Sequence, residues 1–299
     1  MSDKLTLLVG DNPFHGISHL SQGRSRERTE AVTNADYAAG LVLTAMENGA
    51  DGFMFSVSET TVSILKRVRE KKADVNLSLY AIVPYAYSYV RLATQTGGIL
   101  GLAKKVAKEI IASFNVKAMA TGLKAATTMD LSAVLETYLT YEISRIRASA
   151  GKKAKIESVL LHEIITDMAL ALDLDWLFKS HINFMLKKGI KPGFETRNFA
   201  YLVNRFRDWG ITFDDVVVAT PFNAVGFQMN PSKEECEKAL VGVGASSVIA
   251  MSILAAGYLK PSAAMEYLKR LPNLKGVVVG VSKEHHARET FKLLKERLV

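Results

Sequence analysis

The chain has 299 residues, 48% of them hydrophobic, enough to bury a large core in one α/β barrel or in two smaller domains. Its 38 Lys and Arg outnumber 30 Asp and Glu, and the net charge of +8 suits an anionic or phosphorylated small-molecule partner. The excess is spread along the chain without a basic run or a nucleic-acid motif, so no nucleic-acid partner is expected. The single Cys236 excludes an intrachain disulfide and any cysteine-built zinc or iron–sulfur centre.

The opening stretch MSDKLTLLVGDNPF has only a brief apolar run before Asp and Pro, unlike a signal peptide. Nothing approaches the roughly 18 uninterrupted apolar residues of a membrane span, and a cytoplasmic location is expected.

Leu5–Gly10 reads as a buried strand, broken by DNPFHGISH with its Pro and Gly. The segment SQGRSRER then carries Arg24, Arg26 and Arg28. Asn34 is placed to cap a helix over Ala35–Asn48, Gly52–Val57 is a second strand, Ser58–Lys71 a helix and Val75–Val83 a third strand. The long interval that follows, approximately 86–150, reads as a helical insertion. It holds GGILGLAKKVAKEIIASF, with Lys104, Lys105 and Lys108 among apolar neighbours. A membrane-surface helix is one reading; a helix packed over a barrel or in a homo-oligomer interface is the plainer one.

Ile156–Leu161 is strand four, ending at His162–Glu163, and a helix is expected over Asp173–Lys188. GIKPGFETRNF supplies strand five and its loop, Tyr201–Trp209 a helix, Val216–Ala219 strand six, and Pro231–Leu240 a helix capped by Ser232. Val248–Met251 and Val277–Val279 are strands seven and eight, with a helix around Ala263–Arg270 between them and a closing helix after. Eight strand signals separated mostly by helical ones predict a (β/α)8 TIM barrel over residues 1–299. No GxGxxG follows the first strand, which counts against a Rossmann fold.

At VIAMSILAAGYLKP and VVVGVSKEHHARETFKLL the chain resembles the aldo-keto reductase superfamily, an NADP-linked group of oxidoreductases. The matching positions include Ser252, Leu254, Gly257, Leu259, Gly280, Ser282 and Glu289; TRNF at Thr196–Phe199, TPFN at Thr220–Asn223 and SVLLHE at Ser158–Glu163 are fainter echoes. The resemblance implies the barrel fold. It implies an NADP-type cofactor or a phosphorylated substrate near Asn198, Ser252, Lys260, Gly280, Ser282, Lys283 and Glu289, with His286 or Arg288 as further phosphate-facing groups.

The family's Asp–Tyr–Lys–His tetrad is broken: Met54 aligns with the Asp, Glu59 falls near the Tyr, YAIVP lacks the Lys, and only His162 survives. Met251 stands where the family stacks a Tyr on the nicotinamide and Ala219 where a Gln holds its carboxamide.

In a barrel, the C-terminal strand ends converge on one pocket. That brings together Asp11, Asn12 and His15, then Ser56, Tyr85, His162, Glu163, Glu195, Arg197, Asn198, Asn223, Ser252 and Lys260. His162 and Glu195 are acid/base candidates, Arg197 or Lys260 an anion clamp, and Asp11 and His15 complete the catalytic set. Plainer roles stand beside these: His162 as a neutral core histidine, Asp11 as a turn cap with Asn12, Glu195 and Arg197 as a structural ion pair, and Glu163 pointing outward. His285 and His286 read as solvated.

Asp11, His15, His162 and Glu195 would also suit a divalent metal, although no tight ligand spacing marks it. Three functions follow: a divergent reductase-like enzyme without the tetrad, a metal-dependent isomerase, lyase or hydrolase, or a non-catalytic ligand-binding or scaffold barrel.

Overall fold

The computed structural model describes residues 5–16, 34–84, 131–243 and 247–299. Eight strands form a closed, all-parallel barrel in sequence order. They are β1 (Thr6–Gly10), β2 (Gly52–Ser56), β3 (Ser78–Val83), β4 (Lys155–Leu161), β5 (Lys191–Glu195), β6 (Val217–Pro221), β7 (Val248–Met251) and β8 (Leu274–Gly280). Leu8 of β1 lies opposite Gly52 of β2 on one side and Val278 of β8 on the other, which closes the ring.

Strand alternation builds two cores. Leu8, Met54, Tyr80, Leu160, Val217 and Ile249 fill the barrel interior. Leu7, Val9, Phe53, Phe55, Val159 and Phe194 face outward into the layer beneath the helices. Near-continuous apolar strands are what burial on both faces demands. Gly193 is required by crowding, because a Cβ there would sit 2.5 Å from Leu160 Cγ and 2.7 Å from Ser158 Oγ inside the barrel.

Among the described residues the outer layer holds α1 (Ala35–Glu47), α2 (Glu59–Lys71), α3 (Leu131–Ala150), α4 (Glu163–Ala171), α5 (Asp175–Lys187), α6 (Phe199–Asp208), α7 (Lys233–Val241), α8 (Pro261–Leu268) and α9 (Glu284–Leu298). Asn34 caps α1 through the N–H groups of Asp36 and Tyr37, and Ser232 caps α7 through Glu235. Ser58 precedes α2 in a reciprocal capping box with Thr61.

The interval after β4 departs from expectation. One helix over Asp173–Lys188 is expected there; the structure has two, with Asp173 at φ +57 in the turn between α4 and α5. Glu163–Ala171 escapes notice because its apolar residues run on from β4, and its cap is His162, outside the usual Ser, Thr, Asp and Asn. The helix α3 lies within the expected insertion. The insertion's Lys104, Lys105 and Lys108 lie outside the described residues, as do Arg24, Arg26, Arg28 and Tyr85. No helix among the described residues is long and apolar enough to cross a membrane.

Candidate active site at the C-terminal mouth

The site begins with two neighbouring strand ends. Leu161 of β4 pairs with Phe194 of β5, so His162 and Glu195 follow side by side. Phe194 points outward onto Phe178 and Phe206, with ring centroids at 5.0 and 5.5 Å. Alternation therefore turns Glu195 inward to the mouth.

Glu195 is half-buried and accepts the backbone N–H of Glu163 at 3.2 Å. Burial, reinforced by the Glu163 charge, pushes its carboxyl up to about 8, so it is protonated at neutral pH.

His162 is 7% exposed and caps α4: its Nδ1 accepts the N–H of Ile164 at 3.2 Å. That bond assigns the ring proton to Nε2. Burial, followed by the positive charge of Arg197, lowers its pKa against the opposing pull of Glu163 and Asp11. The neutral core histidine and the site histidine are thus the same arrangement: the ring is neutral, holds a helix end and keeps one donor.

Asp11 does not cap its turn through its side chain. Its Oδ2 accepts the N–H of Ser56 at 2.7 Å and meets His15 Nε2 at 3.0 Å, tying the loop after β1 to the end of β2. Both side chains are buried, and the Asp11 charge reaches His162 and Glu195. The metal expectation fails here: among the described residues no three or more His, Cys, Asp or Glu side chains are grouped to hold an ion. Asp11, His15, His162 and Glu195 share the mouth without converging on one point.

Arg197 also departs from its expected role. Its Nε and Nη2 each donate to the Glu163 carboxylate at 2.6 Å, so its fork is already engaged. Glu163, in the first turn of α4, faces this loop. Asn198 turns away from the mouth, toward a cleft of about 350 Å³ on the flank of the barrel beside Asp167, Leu170, Ala171 and Tyr201. The Asp167 carboxyl is raised by burial and pulled back by hydrogen bonds from Thr196, Arg197 and Asn198. The sequence marked Thr196 only as the first residue of the TRNF echo, and Asp167 only by its spacing four residues after Glu163 on one helix.

The remaining expected positions fall after β6 and β7, at the end of β8 and on α9. Ser252 has φ +52 and receives the N–H of Ala255 at its carbonyl, 2.8 Å away. Lys260 and Lys283 are exposed at the starts of α8 and α9; Glu289, His285 and His286 are exposed on α9. The Ser282 carbonyl accepts the Tyr37 hydroxyl at 3.3 Å. Gly280 lies under Pro13, whose Cδ would be 2.8 Å from a Cβ at that position. Asn223 spends its amide on both backbone groups of Phe227, at 2.8 and 2.9 Å.

The residues that replace the reductase tetrad are not assembled for hydride chemistry. Met54 is packed inside the barrel, and Glu59 points outward to Arg145 at 2.5 Å. Ala219 is buried in the interior core and Met251 is half-buried at the end of β7, so the two positions that the resemblance assigns to the nicotinamide carry neither an aromatic ring nor an amide.

Fold and mouth together define a closed parallel α/β barrel of the shape seen in aldo-keto reductases. Two solved structures, each provisionally named an aldo-keto reductase from Pseudomonas aeruginosa, match it with TM-scores of 0.58 and 0.57. Each is 11% identical, covering 98% of this chain and 90% of the other. At that identity the likeness is one of fold. No family model and no curated protein matches the sequence.

Proposed function

We propose that the protein is an enzyme that polarises and protonates an oxygen atom of a small, polar, anionic or phosphorylated substrate at the barrel mouth. The observation that carries this reading is the pairing of two hydrogen donors on adjacent strand ends. Glu195 is held protonated, and His162 has its Nδ1 occupied by Ile164, leaving Nε2–H. Donors on neighbouring strand ends can stabilise a developing oxyanion and deliver a proton to it. Asp11, with His15 beside it, supplies a carboxylate for the complementary acceptor role. Lys260 and Lys283, following adjacent strands, suit the anionic tail of the substrate. A cytoplasmic setting accords with the buried, unpaired Cys236.

Turnover should be followed over a panel of small carboxylated and phosphorylated carbonyl compounds. Activity is expected to fall above pH about 8, as Glu195 loses its proton. Glu195→Gln should cost about 10²-fold or more in kcat and abolish that limb. A Glu195→Gln enzyme with wild-type kcat and pH profile would remove Glu195 from the chemistry. The reductase branch has its own check: absence of protein fluorescence quenching at millimolar NADPH rules it out.

A further inference from the structure

We propose that Asp167 is a positioning residue for this mouth: from the flank of α4 it holds the turn Thr196–Asn198, and through that turn it keeps Arg197 on Glu163 beside Glu195 and His162. The inference rests on the mouth being the working site, as argued above.

Glu163 and Asp167, four residues apart, project from one face of α4. Glu163 presents its N–H to Glu195 and its carboxylate to the fork of Arg197. Asp167 receives the Thr196 hydroxyl in a short hydrogen bond and the Arg197 N–H at 3.3 Å. Thr196 Oγ1 in turn accepts the N–H of Asn198 at 2.9 Å. One face of α4 thus holds the last residue of β5, Glu195, and the turn that follows it.

The grip has a soft side and a hard side. Thr196 is fully buried, and its own N–H is fixed to the Ala219 carbonyl of β6 at 3.0 Å, so the strand end stays when Asp167 is removed. Arg197 and Asn198 are tied only at their carbonyls, which accept the N–H of Asn230 at 3.1 Å and of Leu202 at 2.9 Å; their N–H groups depend on Asp167 and Thr196. The buried Thr196 hydroxyl and Arg197 N–H would need new acceptors, and the turn would rotate to find them.

The groups facing Glu195 are Glu163 on α4, Arg197 in the turn after β5, and Asp11 after β1, with His162 next to it. Arg197 acts to lower both the Glu195 and the His162 titrations. Its departure would leave the Glu163 charge uncompensated, and both titrations would move the same way, upward.

The test is NMR titration of the Glu195 carboxyl and the His162 ring in Asp167→Ala, with the Arg197 Nε–H resonance as a third readout. Both transitions are expected to rise by about half a pH unit or more, with loss of the protected Arg197 signal. Asp167→Asn, which keeps one acceptor oxygen, should shift less. A folded Asp167→Ala protein with all three signals unchanged, and only a lower Tm, overturns the proposal.

If that variant fails to fold, Thr196→Val and Thr196→Ser decide. The first should reproduce the shift and the second should not; identical titrations in the two would refute the coupling. None of these readouts uses a substrate, so a failure of the functional reading, seen as an active Glu195→Gln enzyme, stays separate from a failure of this one.

Discussion

Glu195 carries a thermodynamic signature that can be measured before any substrate is known. Its folded pKa, about 8, lies above the unfolded value of about 4.3, so the native state binds the extra proton between those limits. Stability is therefore lost as pH rises through that window. Glu195→Gln, which mimics the protonated acid, should match wild type near pH 4 and exceed it at pH 8 by on the order of 2 kcal/mol after allowance for solvent screening. Urea unfolding at the two pH values checks this, and a variant no more stable than wild type at pH 8 would contradict the raised acid.

At this scale the sequence was legible in chain position and not in side-chain direction. His162 directly follows the apolar end of β4, and Glu195 closes the short strand KPGFE. It was silent on Arg197 with Glu163 and on Asp167 with Thr196, contacts between residues about thirty positions apart that no local pattern encodes.

Helix α5 offers a separate acid-sensitive group. His181 is fully buried against Phe194, with its Nε2 3.1 Å from the Val159 carbonyl, and burial pushes its pKa down to about 4. Here the unfolded chain binds more protons between about 6.5 and 4, so the stability it contributes is complete above 6.5 and disappears as pH falls toward 4. Wild type should lose up to about 3 kcal/mol across that interval. His181→Leu should show a flatter profile, measured as denaturant midpoints at pH 7 and pH 4.5.

Among the elements, those with a polar cap before a periodic run were readable, as Asn34 and Ser232 illustrate. Helix α4 was not, because EIITDMALA is short and mostly apolar and its cap is a histidine. A strand running directly into a helix leaves no hydrophobic gap to mark the boundary, and tertiary packing decides it.

The barrel as a whole was the most legible feature, since eight apolar runs separated by helical stretches admit few other architectures. Its closure was less so: that β8 returns to β1 rests on pairing between residues some 270 positions apart, visible only in the register Leu7 to Val277 and Val9 to Val279. That closure has a consequence for solvent exchange. In an open sheet the outermost strands shed their amide protons first, by fraying from a free edge. Here every strand is hydrogen-bonded on both sides, and the first and last strands are each other's neighbours. Backbone amides of Leu7–Val9 and Val277–Val279 should exchange for deuterium as slowly as those of Val159–Leu161, through opening of the whole ring. Faster exchange confined to β1 and β8 would mean that the seam between them breathes on its own.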